Sequence, residues 1–328
     1  MISPPSAELL WALSGILLIL AIGSCVRLVA LGRSSSELRT KRLQSLRTWW
    51  ILATCVCIAL VAGRPGMCLL MASASVLALR EFVPLVASRT CDRLAARSLY
   101  ATLLVSCILL LLGEVRMWSV GMPFLIILLP CLSGLVQGEP RGYVSSTSSL
   151  IYGGLLLVYA LSHTVVLFAV PQTQSGPIGP AGWFLYLLLL TEINDIAQAL
   201  IGRRFGAHKR HCITPVISPN KTWEGFLGGL GATMLLSVLL ASELTTLTAF
   251  QIPLTNDLSL PGAATPLVSG AGIALLGFLG DINMSAIKRD AGVKDGSQLL
   301  PGMGGMIDRI DSLTFTAPAF TWFVLWLA

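Results

Sequence analysis

Gly280-Asp281-Ile282-Asn283-Met284-Ser285-Ala286-Ile287-Lys288-Arg289-Asp290 is followed by Lys294-Asp295, by Pro301-Gly302-Met303-Gly304-Gly305 and by Asp308-Arg309-Ile310-Asp311. Apolar runs long enough to cross a bilayer flank this charged stretch on both sides, so it reads as a polar connection between two membrane helices. An ordinary solvated loop needs neither Asp at the ends of apolar helices nor a Gly-x-Gly-Gly turn. Carboxylates, ammonium groups and a glycine-rich turn this close together suit a metal and a phosphate. If helix continues through Asp281, then Asp281, Ser285 and Lys288 fall near one face, at i, i+4 and i+7. A carboxylate, a hydroxyl and an ammonium would then share one space.

The rest of the chain agrees with a membrane setting. Of the 328 residues, 55% are hydrophobic and 12% charged, against a charged share of about 25% in an average soluble domain. The mean hydropathy is +0.80. The runs are continuous rather than alternating, which excludes a β-barrel and leaves helices, whose backbones satisfy themselves. The fold expected is all-α and polytopic: a single membrane domain over residues 1–328. About ten transmembrane helices are expected, near 9–31, 49–63, 66–79, 98–113, 118–137, 148–170, 182–201, 223–249, 265–282 and 312–328. The first run has Glu8 and no basic residue ahead of it and exceeds a signal-peptide core, so it reads as a retained helix.

Charge assigns the sides. Arg33, Arg39, Lys41, Arg42 and Arg47 follow the first run; Arg80, Arg89, Arg93 and Arg97 follow the third; Arg141 follows the fifth. Arg203, Arg204, Lys209, Arg210 and Lys221 follow the seventh, and Lys288, Arg289, Lys294 and Arg309 the ninth. The alternate loops carry only Arg64 and Arg116 or no basic residue. The positive-inside rule makes the basic side cytoplasmic, with both termini outside. Trp49-Trp50, directly after the first basic loop, reads as an interfacial anchor. Arg80-Glu81 reads as a pair snorkelling to that interface, and His163, mid-helix, as a packed or hydrogen-bonded histidine.

Most of the eight Cys lie in apolar runs and behave as small hydrophobes, while Cys91 and Cys212 fall in loops as free thiols. No disulfide framework, zinc pattern, P-loop, dinucleotide fingerprint or Gly-x-Ser-x-Gly elbow is present. Nothing resembles a nucleic-acid module, so the net charge of +6 reads as a membrane-surface signal.

Two further places carry polar chemistry. Glu192 and Asp195 stand three apart near the end of the seventh run, a costly depth that is functional by default. The loop after it ends in Ser218-Pro219-Asn220-Lys221-Thr222-Trp223-Glu224-Gly225. There Ser218 is expected to cap the next helix, with Pro219 at its first position and Lys221 beside the freed N–H groups, a setting that suits phosphate. Gly225 and Gly229 form a close-packing Gly-x-x-x-Gly. Carboxylates and cations gathered on one face match an Mg²⁺–polyphosphate site and imply phosphoryl or nucleotidyl transfer at a membrane surface. A transporter is the rival class, but it tends to show internal repeats and midplane charges, and neither is found.

The motifs also resemble those of the phosphatidate cytidylyltransferases, the CDP-diacylglycerol synthases. The matching residues are Ser285, Lys288-Arg289, Lys294-Asp295, Pro301 to Gly305 and Asp308-Arg309-Ile310-Asp311. The Ser218 to Gly225 block matches a second motif, and Asp195, Gly202 and Phe205-Gly206 match a third. The resemblance is strong over residues 180–320, which would be the catalytic core. It implies transfer of CMP from CTP to phosphatidate or a related anionic lipid, and a homodimer in the inner membrane of a bacterial-type cell, with the active site on the cytoplasmic face. By the same resemblance Asp281, Asp308, Asp311 and Asp195 would hold Mg²⁺, with a second metal or K⁺ beside it. Lys221, Lys288 and Arg289 would bind phosphates, and Ser218, Ser285, Lys294, Gly302, Gly304 and Gly305 would contact substrate. Two departures stand out: Met303 replaces the family's His in Pro-Gly-His-Gly-Gly, and Gln298 stands where His is common. They suggest a weakened or specialised subgroup.

Overall fold

In a hydrocarbon layer every backbone N–H and C=O must find a partner within the protein, and helices are how this sequence meets that demand. The computed structural model describes residues 5–31, 36–86, 92–171, 174–206, 211–253, 259–294 and 296–327. Among them ten helical spans are long and apolar enough to cross a membrane. The protein is therefore a polytopic all-α membrane protein. Arg33, Arg89, Cys91, Lys209, Arg210 and Asp295 lie outside the described residues.

Five helices come first: α1 (Ala7–Leu31), α2 (Ser36–Val61), α3 (Gly63–Val86), α4 (Asp92–Leu112) and α5 (Val115–Gln137). The sixth span is composite: α6 (Tyr143–Gly154), a π turn over Leu155–Ala160, α7 (Leu161–Val166) and a 3₁₀ turn over Leu167–Ala169. It is 78% buried within its apolar window, against 17% for α1, so it is a central post and α1 a peripheral one. Four helices complete the bundle: α8 (Pro180–Phe205), α9 (Trp223–Leu244), α10 (Thr265–Asp290) and the short α11 (Ile307–Ile310) leading into α12 (Leu313–Leu327). Among the described residues the strands form two hairpins, β1 (Cys212–Thr214) with β2 (Ser218–Thr222) and β3 (Ile252–Pro253) with β4 (Ser259–Leu260), both antiparallel.

Two helices run further than their apolar stretches. α2 begins at Ser36 rather than near 49, because Arg39, Lys41, Arg42, Leu43 and Gln44 are good helix formers. α10 likewise continues through Lys288 and Arg289 to Asp290, where two cations in the last turn complement the helix dipole.

His163 is fully buried. Trp322 Nε1 donates to its Nε2 at 3.1 Å, and its Nδ1 lies 3.0 Å from the carbonyl of Tyr159. An indole N–H can only donate, so Nε2 accepts and Nδ1 carries the proton. The rings of Trp118 and Tyr159 sit against it at 4.8 and 4.7 Å. It is a packed, hydrogen-bonded histidine, as the sequence suggests. The seven described cysteines are all free.

α8 lies along α9, α9 along α10, and α10 along α12. The α8–α9 approach depends on glycine: a Cβ on Gly229 would stand 2.4 Å from Cγ of Gln198. Asn194, fully buried in α8, ties three helices together. It donates from Nδ2 to the carbonyl of Ala274 at 3.3 Å and accepts on Oδ1 from Thr233 at 3.4 Å. This packing brings the charged ends of α8 and α10 to one level beside α11.

Candidate active site

A cavity of about 1180 Å³ opens among the ends of α8, α9 and α10, the β1–β2 hairpin and α11. Its charged lining is Glu192, Asp195, Arg203, Lys221, Asp281, Lys288, Asp308, Arg309 and Asp311. Residues far apart in sequence thus meet in one space, supplied by α8, the β1–β2 hairpin, α10, and α11 with the residue that follows it. Trp49 of α2 completes one wall, so one ring of the Trp pair is part of the cavity. The other, Trp50, donates from Nε1 to Ser24 Oγ on α1 at 3.1 Å.

Two ion pairs organise the charges. Lys221 Nζ is 2.5 Å from Asp281 Oδ2, and Lys288 Nζ is 2.5 Å from Asp308 Oδ1. The four side chains are only 13–24% exposed, so these are not solvated surface pairs, and losing one partner would strand a half-desolvated charge. Lys221 also donates to Gln198 Oε1 at 3.1 Å and lies 5.6 Å from the ring centre of Phe278. Asp195, Asp281 and Asp311 come within electrostatic reach of one another, with Lys221 and Arg309 as the facing cations. Ser312 connects two of them: its Oγ donates to Asp195 Oδ2 at 3.0 Å, and its backbone N–H donates to Asp311 Oδ1 at 2.8 Å. The sequence does not single out Ser312 or Gln198 as site residues, and it singles out Trp49 only as an interfacial anchor. Only the family motif ending at Asp311 points near Ser312.

The helical face expected for α10 forms. Ser285 Oγ donates to Asp281 Oδ1 at 3.4 Å, while Asp281 and Lys288 line the cavity. Ser285 itself is not part of the lining.

The hairpin corrects one expectation. Ser218 does not cap α9, because Ser218–Thr222 is extended and pairs with Cys212–Thr214. The cap is Thr222, with φ −116° and ψ 156°, whose Oγ1 accepts from the N–H of Gly225 at 3.2 Å. Moving the cap four residues on leaves Pro219, Asn220 and Lys221 on a strand that forms a cavity wall. Ser218 lies outside the lining and accepts on its carbonyl from Cys212 Sγ at 3.7 Å. The Glu224 carboxylate meets the His211 ring across the foot of the same hairpin.

Several residues expected to touch substrate stand elsewhere. Arg289 is exposed and hydrogen-bonds the carbonyls of Ile217 at 3.3 Å and Val293 at 3.4 Å, so it braces the hairpin turn. Lys294 is exposed beyond the end of α10.

Gly302, Gly304 and Gly305 also lie outside the lining. Gly302 (φ +73°) and Gly304 (φ +89°) adopt backbone that disfavours other residues. The turn they form docks on α2, where a Cβ on Gly302 would fall 2.6 Å from the carbonyl of Lys41 and Thr48 Oγ1 donates to the carbonyl of Pro301 at 2.9 Å. Its link to the cavity is the N–H of Gly305, which donates to Asp308 Oδ2 at 3.3 Å. Met303 is half-buried and makes its turn through a backbone N–H to Leu300 at 2.9 Å; its side chain does not line the cavity.

Glu81 is the clearest correction. It is 7% exposed and does not snorkel; it turns inward onto the 297–307 segment. Arg80 beside it is exposed, as expected.

With this geometry in view, similarity to known proteins is informative. A cytidylyltransferase family model matches residues 43–327. The chain belongs to that family. The match takes in α2 and α3 as well as the motif-bearing part. An Escherichia coli K12 protein described as uncharacterized protein YnbB is 36% identical over 279 residues, covering 85% of this chain and 86% of that one. A phosphatidate cytidylyltransferase of Haemophilus influenzae is 37% identical over 139 residues, 42% of this chain and 44% of its own. One from Mycobacterium bovis is 30% identical over 192 residues, 58% of this chain and 54% of its own. The chain thus matches about half the length of these named enzymes and most of the E. coli protein.

Proposed function

We propose that this chain transfers CMP from CTP to a phosphate-bearing membrane lipid, phosphatidate or a close relative, forming a CDP-lipid and pyrophosphate. One observation carries the reading: two lysine–carboxylate pairs and further carboxylates face one cavity at the basic end of a membrane bundle. In the reaction an oxygen of the lipid phosphate attacks the α-phosphorus of CTP. A new P–O bond forms in line as the bond to the β-phosphate oxygen breaks, and pyrophosphate leaves with that electron pair. A phosphate monoester is already largely ionised at neutral pH, so the attack needs no side-chain base.

Mg²⁺ fits the residues present. Among the described residues no three His, Cys, Asp or Glu close into a ready cage for a metal. Mg²⁺, however, typically takes one or two carboxylates and completes its shell with water and substrate phosphate. The candidate ligands Asp195, Asp281, Asp308 and Asp311 are all oxygen donors, and Asp195 Oδ1 is buried with no hydrogen-bond partner. Mg²⁺ bound there would neutralise polyphosphate charge and stabilise the leaving group. Lys221 and Lys288 pair with Asp281 and Asp308 and could equally bind the phosphates of the nucleotide. Arg309 balances the charge of Asp195 and Asp311. A second metal or K⁺ would have to share the same oxygens.

The basic loops support a position for this cavity on the cytoplasmic face, in a bacterial-type inner membrane, where CTP is available. Trp49 sets an amphipathic ring at the cavity wall, a position suited to the glycerol end of a lipid acceptor. Activity as a homodimer belongs to the same proposal. A different acceptor lipid is the second reading, favoured by the strong, long match to a relative not described as a phosphatidate enzyme.

Purified full-length protein supplied with Mg²⁺, labelled CTP and phosphatidate should form CDP-diacylglycerol, and Asp281→Asn should abolish it. Folded protein giving no nucleotide-linked lipid with phosphatidate or other phospholipid acceptors would overturn the proposal.

A further inference from the structure

Glu81 belongs to α3, outside the 180–320 stretch that carries the motifs, yet three donors from the motif-bearing part converge on it. Oε1 accepts from Ser297 Oγ at 2.7 Å and from the N–H of Met306 at 2.8 Å, and Oε2 accepts from the N–H of Ile307 at 3.0 Å. Those backbone donors lead directly into α11, which carries Asp308. Gly305, between the turn and α11, has room only because it lacks a side chain: a Cβ there would lie 2.4 Å from Glu81 Oε2. The N–H of Gly305 then donates to Asp308 Oδ2, whose other oxygen meets Lys288. A continuous series of contacts therefore runs from α3 through the backbone of 305–307 to an ion pair in the cavity wall.

Burying a carboxylate at a helix end is costly unless every lone pair in use finds a donor. Among the buried residues of α3, which include Met67, Cys68, Met71, Ala78, Leu79 and Phe82, Glu81 alone is charged. An apolar side chain would serve helix packing without that cost, but it could not hold two backbone N–H groups and a hydroxyl at once. The carboxylate is not in the cavity lining, so any effect on chemistry must pass through the segment it holds.

We propose that Glu81 is a positioning residue, which fixes the 297–307 segment so that Asp308 and Asp311 stand correctly in the cavity. The inference rests on the nucleotidyl-transfer reading for its kinetic arm only. Glu81→Gln keeps the size of the side chain but leaves one acceptor oxygen, so an NH₂ group must face at least one donor.

In full-length protein in detergent, Mn²⁺ binding followed by paramagnetic resonance should weaken about 10- to 100-fold in Glu81→Gln. The turnover rate should fall by a similar factor while KM for CTP changes little. Ser297→Ala spares both backbone bonds and should stay close to the parent. Gly305→Ala pushes a methyl onto the carboxylate from the other side and should reproduce the Glu81→Gln loss. If Glu81→Gln does not fold, Gly305→Ala decides the matter. Mn²⁺ affinity equal to the parent's in the folded variant, with only a lower melting temperature, would overturn the proposal and leave Glu81 as a structural link. If the parent binds Mn²⁺ but makes no nucleotide-linked lipid, the reaction assignment fails while the Mn²⁺ comparison still judges Glu81.

Discussion

Asp195, Asp281 and Asp311 bring like charge into one cavity, offset in the ligand-free chain by Lys221 and Arg309 and by the hydroxyl of Ser312. Repulsion of this kind is strain kept for a ligand, and removing it usually stabilises a protein while costing activity. Asp311→Asn should therefore raise the melting temperature of the ligand-free protein, by about 0.5–2 kcal/mol of stability, and eliminate turnover. Added Mg²⁺ should raise the melting temperature of the parent and have little effect on this variant. A lower melting temperature without ligand would show that Asp311 is held by its bond to Ser312 more than it is repelled. Met303 makes the opposite case. Its side chain lies outside the cavity lining, so Met303→His should change the rate by no more than about 2-fold, as for a substitution away from the site. A large gain would mean that the turn reaches the substrate in a conformation other than this one.

At the level of elements, legibility followed distance along the chain. Asp281, Ser285 and Lys288 could be placed on one face because the 3.6-residue period is local, and helix did continue through them. The Gly225–Gly229 spacing likewise gave a close contact, now seen as α9 against Gln198 and Asn194 of α8. Ser218 reads as a cap because Ser-Pro is a strong local signal, yet pairing with Cys212–Thr214 draws that segment into a strand and leaves the cap to Thr222. Glu81 was illegible for a plainer reason: the backbone donor it serves at Met306 is 225 residues away, and no local pattern encodes such a partner. The α8–α9 contact supplies the prediction at this scale. Gly229→Leu would force a side chain into Gln198 and should destabilise the protein by about 1–3 kcal/mol. Because Gln198 also holds Lys221, CTP-dependent protection against heat should weaken as well, more than for an equally exposed substitution on α1.

Across the whole molecule, the ten spans found among the described residues are readable from the length and spacing of the apolar runs, because charge is costly in hydrocarbon. The placing of the site's charges at one face is readable too, but the convergence of α8, the β1–β2 hairpin, α10 and α11 on one cavity is not, since it depends on how the helices pack. The central claim is that this cavity moves the α-phosphate end of CTP onto a lipid. It can be tested by supplying the purified protein, Mg²⁺ and phosphatidate with CTP labelled either in the α-phosphate or in the γ-phosphate. The account predicts label in the lipid from the α-position only, with the γ-label released as pyrophosphate. Lipid labelled from the γ-position would mean a CTP-dependent kinase and would contradict it.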